Sequence, residues 1–406
     1  MKTNWHNQYF VVFSDVHCGH SNTPTENILS NLKREVKDSI RNYHPKIIFI
    51  SGDFFDKLLS LPSSPSMKIQ GFIAWFLREC KKHSVALRVL EGTPSHDWKQ
   101  NYLFMQINQD NKIEADVRYL DKLCIDTEES LGLNILYVPD EWDESTEETR
   151  RQVMELLASK GLESVDLAIM HGMFEFQVPE HLRNSLPLHN QAAYEEFVEQ
   201  LIVIGHDHRH KRNGKVVVPG SFDRIAHGEE DPKGYIVFKL KPRGKPDVIF
   251  VENKEAETYR SIDLTDTDLE SSLEIIDTIV SSLPINAKVR LIYRSNSPLS
   301  THLQDLSKKY ASVIWSKPKI IRDEEVVKSI DEVVNTNYTA IILNKDNLPF
   351  LPYWMIRPGA SKSTSGAVPA SIAVVIFSGP DLKSIVSSLT LISGFAFSKA
   401  SMIDFS

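Results

Sequence analysis

Acidic and imidazole side chains recur along the first half of this chain at short spacings. Asp15 and His17 lie two residues apart, as do His206 and His208. Asp53 and Asp56 flank an aromatic pair, His96 and Asp97 are adjacent, and His171 precedes a glycine. In extended backbone, residues i and i+2 face the same side, so each two-apart pair can reach one pocket. Carboxylate and imidazole without thiolate suit Mn²⁺, Fe or Zn²⁺ rather than a cysteine-built structural zinc site. A carboxylate shared by two ions about 3.5–4 Å apart is an effective arrangement for hydrolysing phosphate esters. Asp53 is the candidate bridge.

Each of these groups follows a short apolar run of strand character. Tyr9–Phe13 runs into Ser14-Asp15-Val16-His17, and Ile47–Ile50 into Ser51-Gly52-Asp53. Ala86–Leu90 leads to Glu91-Gly92-Thr93-Pro94-Ser95-His96-Asp97. Leu167–Met170 ends at His171, and Leu201–Ile204 at Gly205-His206-Asp207-His208. Ligands in α/β sheets gather beyond the carboxyl ends of the strands, so these loops are expected to meet at one edge. Further runs are Asn134–Val138, Val216–Val218, Tyr235–Leu240 and Val248–Val251. Between the first runs, Ile28, Leu32, Val36 and Ile40 stripe one helix over 26–43, and Ile69, Ile73 and Phe76 stripe another. Strands alternating with helices predict α/β layering. The closer spacing of the later runs predicts hairpins and a second sheet. Two sheets with helices outside them make a four-layer α-β-β-α sandwich.

From about residue 254 a separate unit is expected. Thr265 to Asp268 can cap a helix whose apolar face is Leu269, Leu273, Ile276, Val280 and Leu283. A strand at Lys288–Tyr293, a helical stretch around Leu303–Tyr310 and a run at Val313–Trp315 follow. The reading divides the chain into 1–252, which carries the chemistry; 253–345, a small α+β unit; and 346–406, a serine-rich apolar segment that could dock a partner.

Composition bounds the rest. The chain has 406 residues, 41% hydrophobic, and a formal net charge of -8, so a nucleic-acid surface would have to be local. Cys18, Cys80 and Cys124 show no CxxC spacing, which fits a reducing compartment. No signal pattern and no long apolar run is evident, so a cytoplasmic protein without a membrane span is expected.

The ordered motifs resemble the calcineurin-like metallophosphoesterase superfamily. Its DxH, GDxxD, GNHD, H and GHxH elements are similar to Asp15-x-His17, Gly52-Asp53-x-x-Asp56, the loop ending in His96-Asp97, His171 and Gly205-His206-x-His208, over roughly residues 9–252. The resemblance implies one ion on Asp15, His17, Asp53 and His208. It implies a second on Asp53, His171, His206 and a ligand from the Gly92–Asp97 loop, Mn²⁺ being the expected metal, with Fe, Zn²⁺ or Mg²⁺ as alternatives. It gives His96 the phosphate and the leaving oxygen, Asp97 the orienting of His96, and Asp56 a bracing role. Ser95 stands where the family has Asn. Ser95 is the expected ligand, with Thr93 or water as the alternatives.

Within the superfamily, three segments resemble SbcD-type DNA nucleases: Asp15-Val16-His17-Cys18-Gly19-His20, the stretch Val217–Arg224 with its Pro-Gly-Ser, and Gly234–Val237 followed by Tyr259–Ile262 at the entry to a capping domain. That resemblance implies a two-metal DNA exo- or endonuclease of repair or recombination. It also implies a homodimer working with an SbcC-type coiled-coil ATPase; the apolar tail or the segment around Leu348–Trp354 is the candidate docking surface. The alternative is a phosphodiesterase or phosphomonoesterase of small esters. Arg209, His210, Lys211, Arg212 and Lys215 follow the last ligands and are the candidate DNA-phosphate contacts. His20 is either a substrate contact or a turn residue. His189 and His227 have no ligand pattern, and Trp75, Trp315 and Trp354 read as packing residues.

Overall fold

A computed structural model describes residues 5–60, 62–140, 145–241 and 244–322. The chain divides into two compact units, Met1–Glu325 and Val326–Ser406, and the described residues all belong to the first. The expected tail segment, Leu348–Trp354 and Trp354 itself lie outside them, as does the end of the expected 253–345 unit.

The first unit is mixed α/β with two six-stranded sheets and a smaller third. In chain order, β1 (Tyr9–Phe13), β2 (Ile47–Ser51), β3 (Ala86–Leu90) and β4 (Val117–Leu120) begin sheet one. β5 (Cys124–Glu128), β6 (Leu133–Val138), β7 (Val165–His171), β8 (Val198–Gly205), β9 (Lys211–Asn213) and β10 (Val216–Val218) make sheet two. The chain then returns to sheet one with β11 (Gly234–Lys239) and β12 (Asp247–Glu252). It ends in β13 (Tyr259–Asp263), β14 (Lys288–Arg294), β15 (Ile314–Trp315) and β16 (Lys319–Ile321) of sheet three. Strands β1 to β4 are parallel, and so are β6, β7 and β8; β11 pairs antiparallel with β1, β12 with β11, β5 with β6 and β9 with β10.

Period-two alternation decides which way each strand residue faces. Phe10, Val12, Ile47 and Phe49 of sheet one share a core with Leu133, Ile135, Leu167, Ile169, Leu201 and Val203 of sheet two. Their neighbours Val11, Phe13, Ile48 and Ile50 pack instead with the apolar stripes of α1 (Thr25–Tyr43) and α2 (Ser64–His83). On sheet two, Leu136, Ala168, Met170 and Ile202 meet Val153 and Leu157 of the next long helix, α3 (Thr146–Lys160). Each fully buried aliphatic side chain contributes about 1.5–3 kcal/mol, so these stripes dominate the stability of the layers. Caps fix the helix ends: Ser63 accepts from Ser66 N at the start of α2, and Ser145 from Glu148 N at the start of α3.

Sheet three has its own core, in which Ile276 and Val280 of α4 (Leu269–Val280) pack on Val289, Leu291 and Tyr293. Asp268 caps that helix through Ser271 N. The shorter helical stretch Leu303–Lys309 adds Leu306 to the same core.

Candidate metal centre

Because β1, β2, β3, β7 and β8 point the same way within their sheets, their carboxyl ends bring the chemistry-bearing loops together. The approach is close. Gly52, at φ +90°, would place a Cβ only 2.1 Å from His171 Nδ1, so no other residue fits between the two loops. Backbone bonds tie the β1 loop to the β2 loop, Asp15 N donating to Gly52 O and His17 N to Asp53 O. Asp15 (φ +48°), His17 (+51°), Asp53 (+50°) and His206 (+99°) all adopt the left-handed region. Such conformations cost non-glycine residues on the order of 1–3 kcal/mol each and persist where surrounding contacts over-determine them, often at functional sites.

Three sets of donor atoms converge, each within 4.8 Å: Asp15, His17 and His208; His17, Asp53 and His96; and Asp53, His171 and His206. Asp53 belongs to two of them. Its Oδ2 lies 4.0 Å from His17 Nε2, and its Oδ1 lies 3.3 Å from His171 Nε2. His17 Nε2 and His208 Nε2 face each other at 3.0 Å. Donors about 2.0–2.2 Å from one ion lie roughly 3–3.5 Å from each other, so these spacings suit a cation between them.

The tautomers fit as well. His171 Nδ1 donates to Ser51 O at 2.7 Å, His96 Nδ1 to Asp56 O at 2.7 Å, and His208 Nδ1 to Glu229 Oε1 at 2.7 Å. Each partner can only accept, so Nδ1 keeps its proton and Nε2 is the atom that each ring turns to the cluster. Burial alone would raise the Asp53 carboxyl, but His171, His17 and His96 hold it well below the ordinary range. His171 moves the opposite way: burial disfavours its charge, yet Asp53 raises it well above the ordinary imidazole value.

The loop after β3 is where the geometry departs from expectation. Ser95 is exposed, and the structure does not bring its hydroxyl into the cluster. Thr93 Oγ1 is there instead, 3.1 Å from Asp53 Oδ2, 3.3 Å from His171 Nε2 and 3.2 Å from His206 Nδ1. The short helix Pro94–Asp97 turns Ser95 outward while its first residue follows Thr93 directly.

Asp97 also sits differently from the orienting role expected of it. Its fully buried carboxylate accepts from Asp53 N (3.0 Å), Phe55 N (2.9 Å), Gly92 N (2.8 Å) and Asn101 Nδ2 (2.7 Å), pinning the β2 and β3 loops together. The group that orients His96 is the Asp56 carbonyl. The Asp56 carboxylate faces His17 Nδ1 at 3.5 Å and His20 Nε2 at 3.9 Å, in line with bracing. His96 itself is half-buried, its ring 4.9 Å from that of His17.

Two residues of this site escape a sequence reading. Glu229 holds His208, and the buried Lys233 reaches His208 O at 2.8 Å and Glu229 Oε2 at 3.6 Å. Burial opposes charge on Glu229, but His208 and Lys233 bring its carboxyl down to about 2. No strand run precedes Glu229, and nothing in the sequence separates it from Glu230 beside it.

The basic loop is mostly engaged within the fold. Lys211 pairs with Asp207 at 2.6 Å, Arg209 with Asp231 at 3.7 Å, and Lys215 Nζ donates to the carbonyls of Glu195 and Val198. His210 stacks on Phe250, and Arg212 is exposed. His189 is buried against Phe174 and Tyr194. Trp75 and Trp315 pack at the edges of their cores, as expected.

No protein-family model matches the chain, and no curated protein does. Solved structures do match. One, at 15% identity, covers 60% of this chain and 99% of its own length with a TM-score of 0.33, a likeness too low to argue from.

Proposed function

We propose that this chain is a two-metal phosphoesterase of the calcineurin-like superfamily, its sheets and outer helices forming the four-layer α-β-β-α sandwich and sheet three the cap. The observation that carries the reading is Asp53, whose two carboxylate oxygens each face a different histidine cluster. Asp15, His17, Asp53 and His208 would hold one ion, and Asp53, His171, His206 and Thr93 the other. Two divalent ions, Mn²⁺ first, supply Lewis acidity and activate the attacking water when bound. The chain's own part is to keep the imidazoles of the ligand set aimed inward, and to present His96, with Nδ1–H held on Asp56 O and Nε2 protonated as well, to a phosphoryl or leaving oxygen as hydrogen-bond donor or acid.

The substrate reading is DNA, acting as an SbcD-type nuclease with an SbcC-type ATPase partner; it rests on the motif resemblance. A second reading, a phosphodiesterase or phosphomonoesterase of small esters, is favoured by one observation: Lys211 is paired with Asp207 and Lys215 is turned onto carbonyls of the fold, which leaves Arg209 and Arg212 as the exposed cations of that loop. Among the described residues no helix is long and apolar enough to cross a membrane.

The test is Mn²⁺-dependent cleavage of linear duplex and single-stranded DNA, beside a small phosphodiester, by wild type and His96→Ala. DNA cleavage that falls about 10²–10⁴-fold in the variant, with metal content unchanged, supports the nuclease and the role of His96. Turnover of the small ester alone moves the assignment to the second reading. No turnover of either, with two ions bound, counts against the catalytic reading.

A further inference from the structure

The segment between β10 and β11 touches both the metal centre and sheet three, and it does so through neighbouring residues. Glu229 points to the site: Oε1 accepts from His208 Nδ1 at 2.7 Å, while Oε2 accepts from Ile225 N at 3.1 Å and lies 3.6 Å from Lys233 Nζ. Glu230 points the other way. Its Oε1 accepts from Ser261 N and its Oε2 from Arg260 Nη1, both at 2.6 Å, so it is fastened to β13 by a bidentate grip. His227 adds a second fastening, with Nε2 2.8 Å from Ser316 Oγ just past β15, Nδ1 3.4 Å from Ser261 Oγ, and its ring 5.1 Å from that of Tyr259.

The start of the segment is anchored too. The buried Asp223 accepts from Asn31 Nδ2 on α1 and from Glu257 N, in the link between sheets one and three. Its far end is closed by Lys233, which donates to His208 O.

We propose that Glu229 is a positioning residue for His208, and that His227 and Glu230 make its position depend on sheet three. The geometry of the ion site containing His208 then follows the seating of the small sheet, whereas the site built on His171 and His206 does not. The physical reason is the shared backbone. Side chains of adjacent residues leave it in different directions, so a displacement that follows β13 at Glu230 is passed to Glu229 one residue away. A carboxylate on the far nitrogen of a ligating histidine sets its tautomer, ring orientation and basicity, and losing it typically lowers metal affinity about 10–100-fold. The inference rests on the metal reading above.

The experiment compares Mn²⁺ binding by calorimetry and electron paramagnetic resonance, and the Co²⁺ absorption spectrum, in full-length wild type, Glu229→Gln and the double variant His227→Ala/Glu230→Ala. His208→Ala and His206→Ala assign the two sites. The expected result is that Glu229→Gln and the double variant both weaken the site that His208→Ala removes, within the range of about 10–100-fold, and alter its Co²⁺ spectrum. The site that His206→Ala removes keeps its affinity. A double variant that melts like wild type and binds both ions unchanged overturns the coupling, as does equal loss at both sites. A wild type that binds no divalent ion instead overturns the metal reading, and the coupling with it.

Discussion

Thr93 and Ser95 lie two residues apart, about half a turn, at the start of a very short helix, and that offset decides which hydroxyl the site receives. Thr93 Oγ1 lies within 3.3 Å of groups on three different loops, while Ser95 faces solvent. Thr93→Ala is therefore expected to weaken Mn²⁺ at the His171–His206 site roughly tenfold or more, a loss comparable to removing a supporting polar group, while Ser95→Ala leaves it unchanged. A calorimetric titration of the two variants checks this, and equal behaviour would sink it. The types and spacing of Asp15, His17, Asp53, His171, His206 and His208 could be read directly, because strand periodicity fixes which residues share a side. The role of Asp97 could not, nor that of the Asp56 carbonyl. Which atom orients His96 depends on how the β2 and β3 loops fold back on each other, and there a backbone carbonyl wins over the adjacent carboxylate.

At the scale of elements, buried strands announce themselves and, β12 apart, edges do not. The runs at β1, β2, β3, β6, β7, β8, β10, β11 and β12 stand out as apolar stretches. β4, β5 and β9 are short edge strands carrying Arg118, Asp126, Lys211 and Arg212, so their apolar signal is broken. β5 nonetheless contributes a tie between the sheets. Arg88 on β3 is fully buried and grips Glu128 on β5 through Nε at 2.5 Å and Nη2 at 2.8 Å, with Asp116 Oδ1 at 2.9 Å from Nη1. Arg88→Met strands the Glu128 charge inside the protein and should cost about 3–5 kcal/mol in urea unfolding. Arg88→Met/Glu128→Leu should recover most of that, since an apolar pair of similar volume is often neutral or better. A double variant as unstable as the single would show that the pair itself carries the stability.

At the scale of the whole molecule, one buried histidine outside the ligand set should mark the pH dependence of folding. Burial lowers His189 from its ordinary 6.5 to about 4. Between those values the unfolded chain binds the proton and the folded protein does not. The contribution is fully present above about pH 6.5 and is lost as pH falls toward about 4, up to roughly 3 kcal/mol in all. Chemical denaturation from pH 7 to pH 4.5 should show a shallower slope for His189→Asn than for wild type, whatever the variant does to the plateau. Identical slopes would mean that His189 does not titrate in this way. The net charge of -8 says little about the candidate site, where Lys211 and Arg209 pair locally with Asp207 and Asp231.

The sequence by itself determined the α/β layering, the strands of both sheets' interiors, the stripes of α1, α2 and α4, the cap of α4, and the set of carboxylates and imidazoles brought to one edge. Each of these follows from local periodicity, read within a few residues. Only the tertiary structure decided that Thr93 enters the cluster and Ser95 does not, that Asp97 pins two loops, and that Glu229 and Lys233 stand behind His208. It also decided that the basic loop is largely paired within the fold. Those outcomes depend on contacts between residues far apart in the chain, such as Asp53 with Thr93 and His208 with Glu229, and one-dimensional spacing carries no information about which of two neighbouring polar residues turns inward.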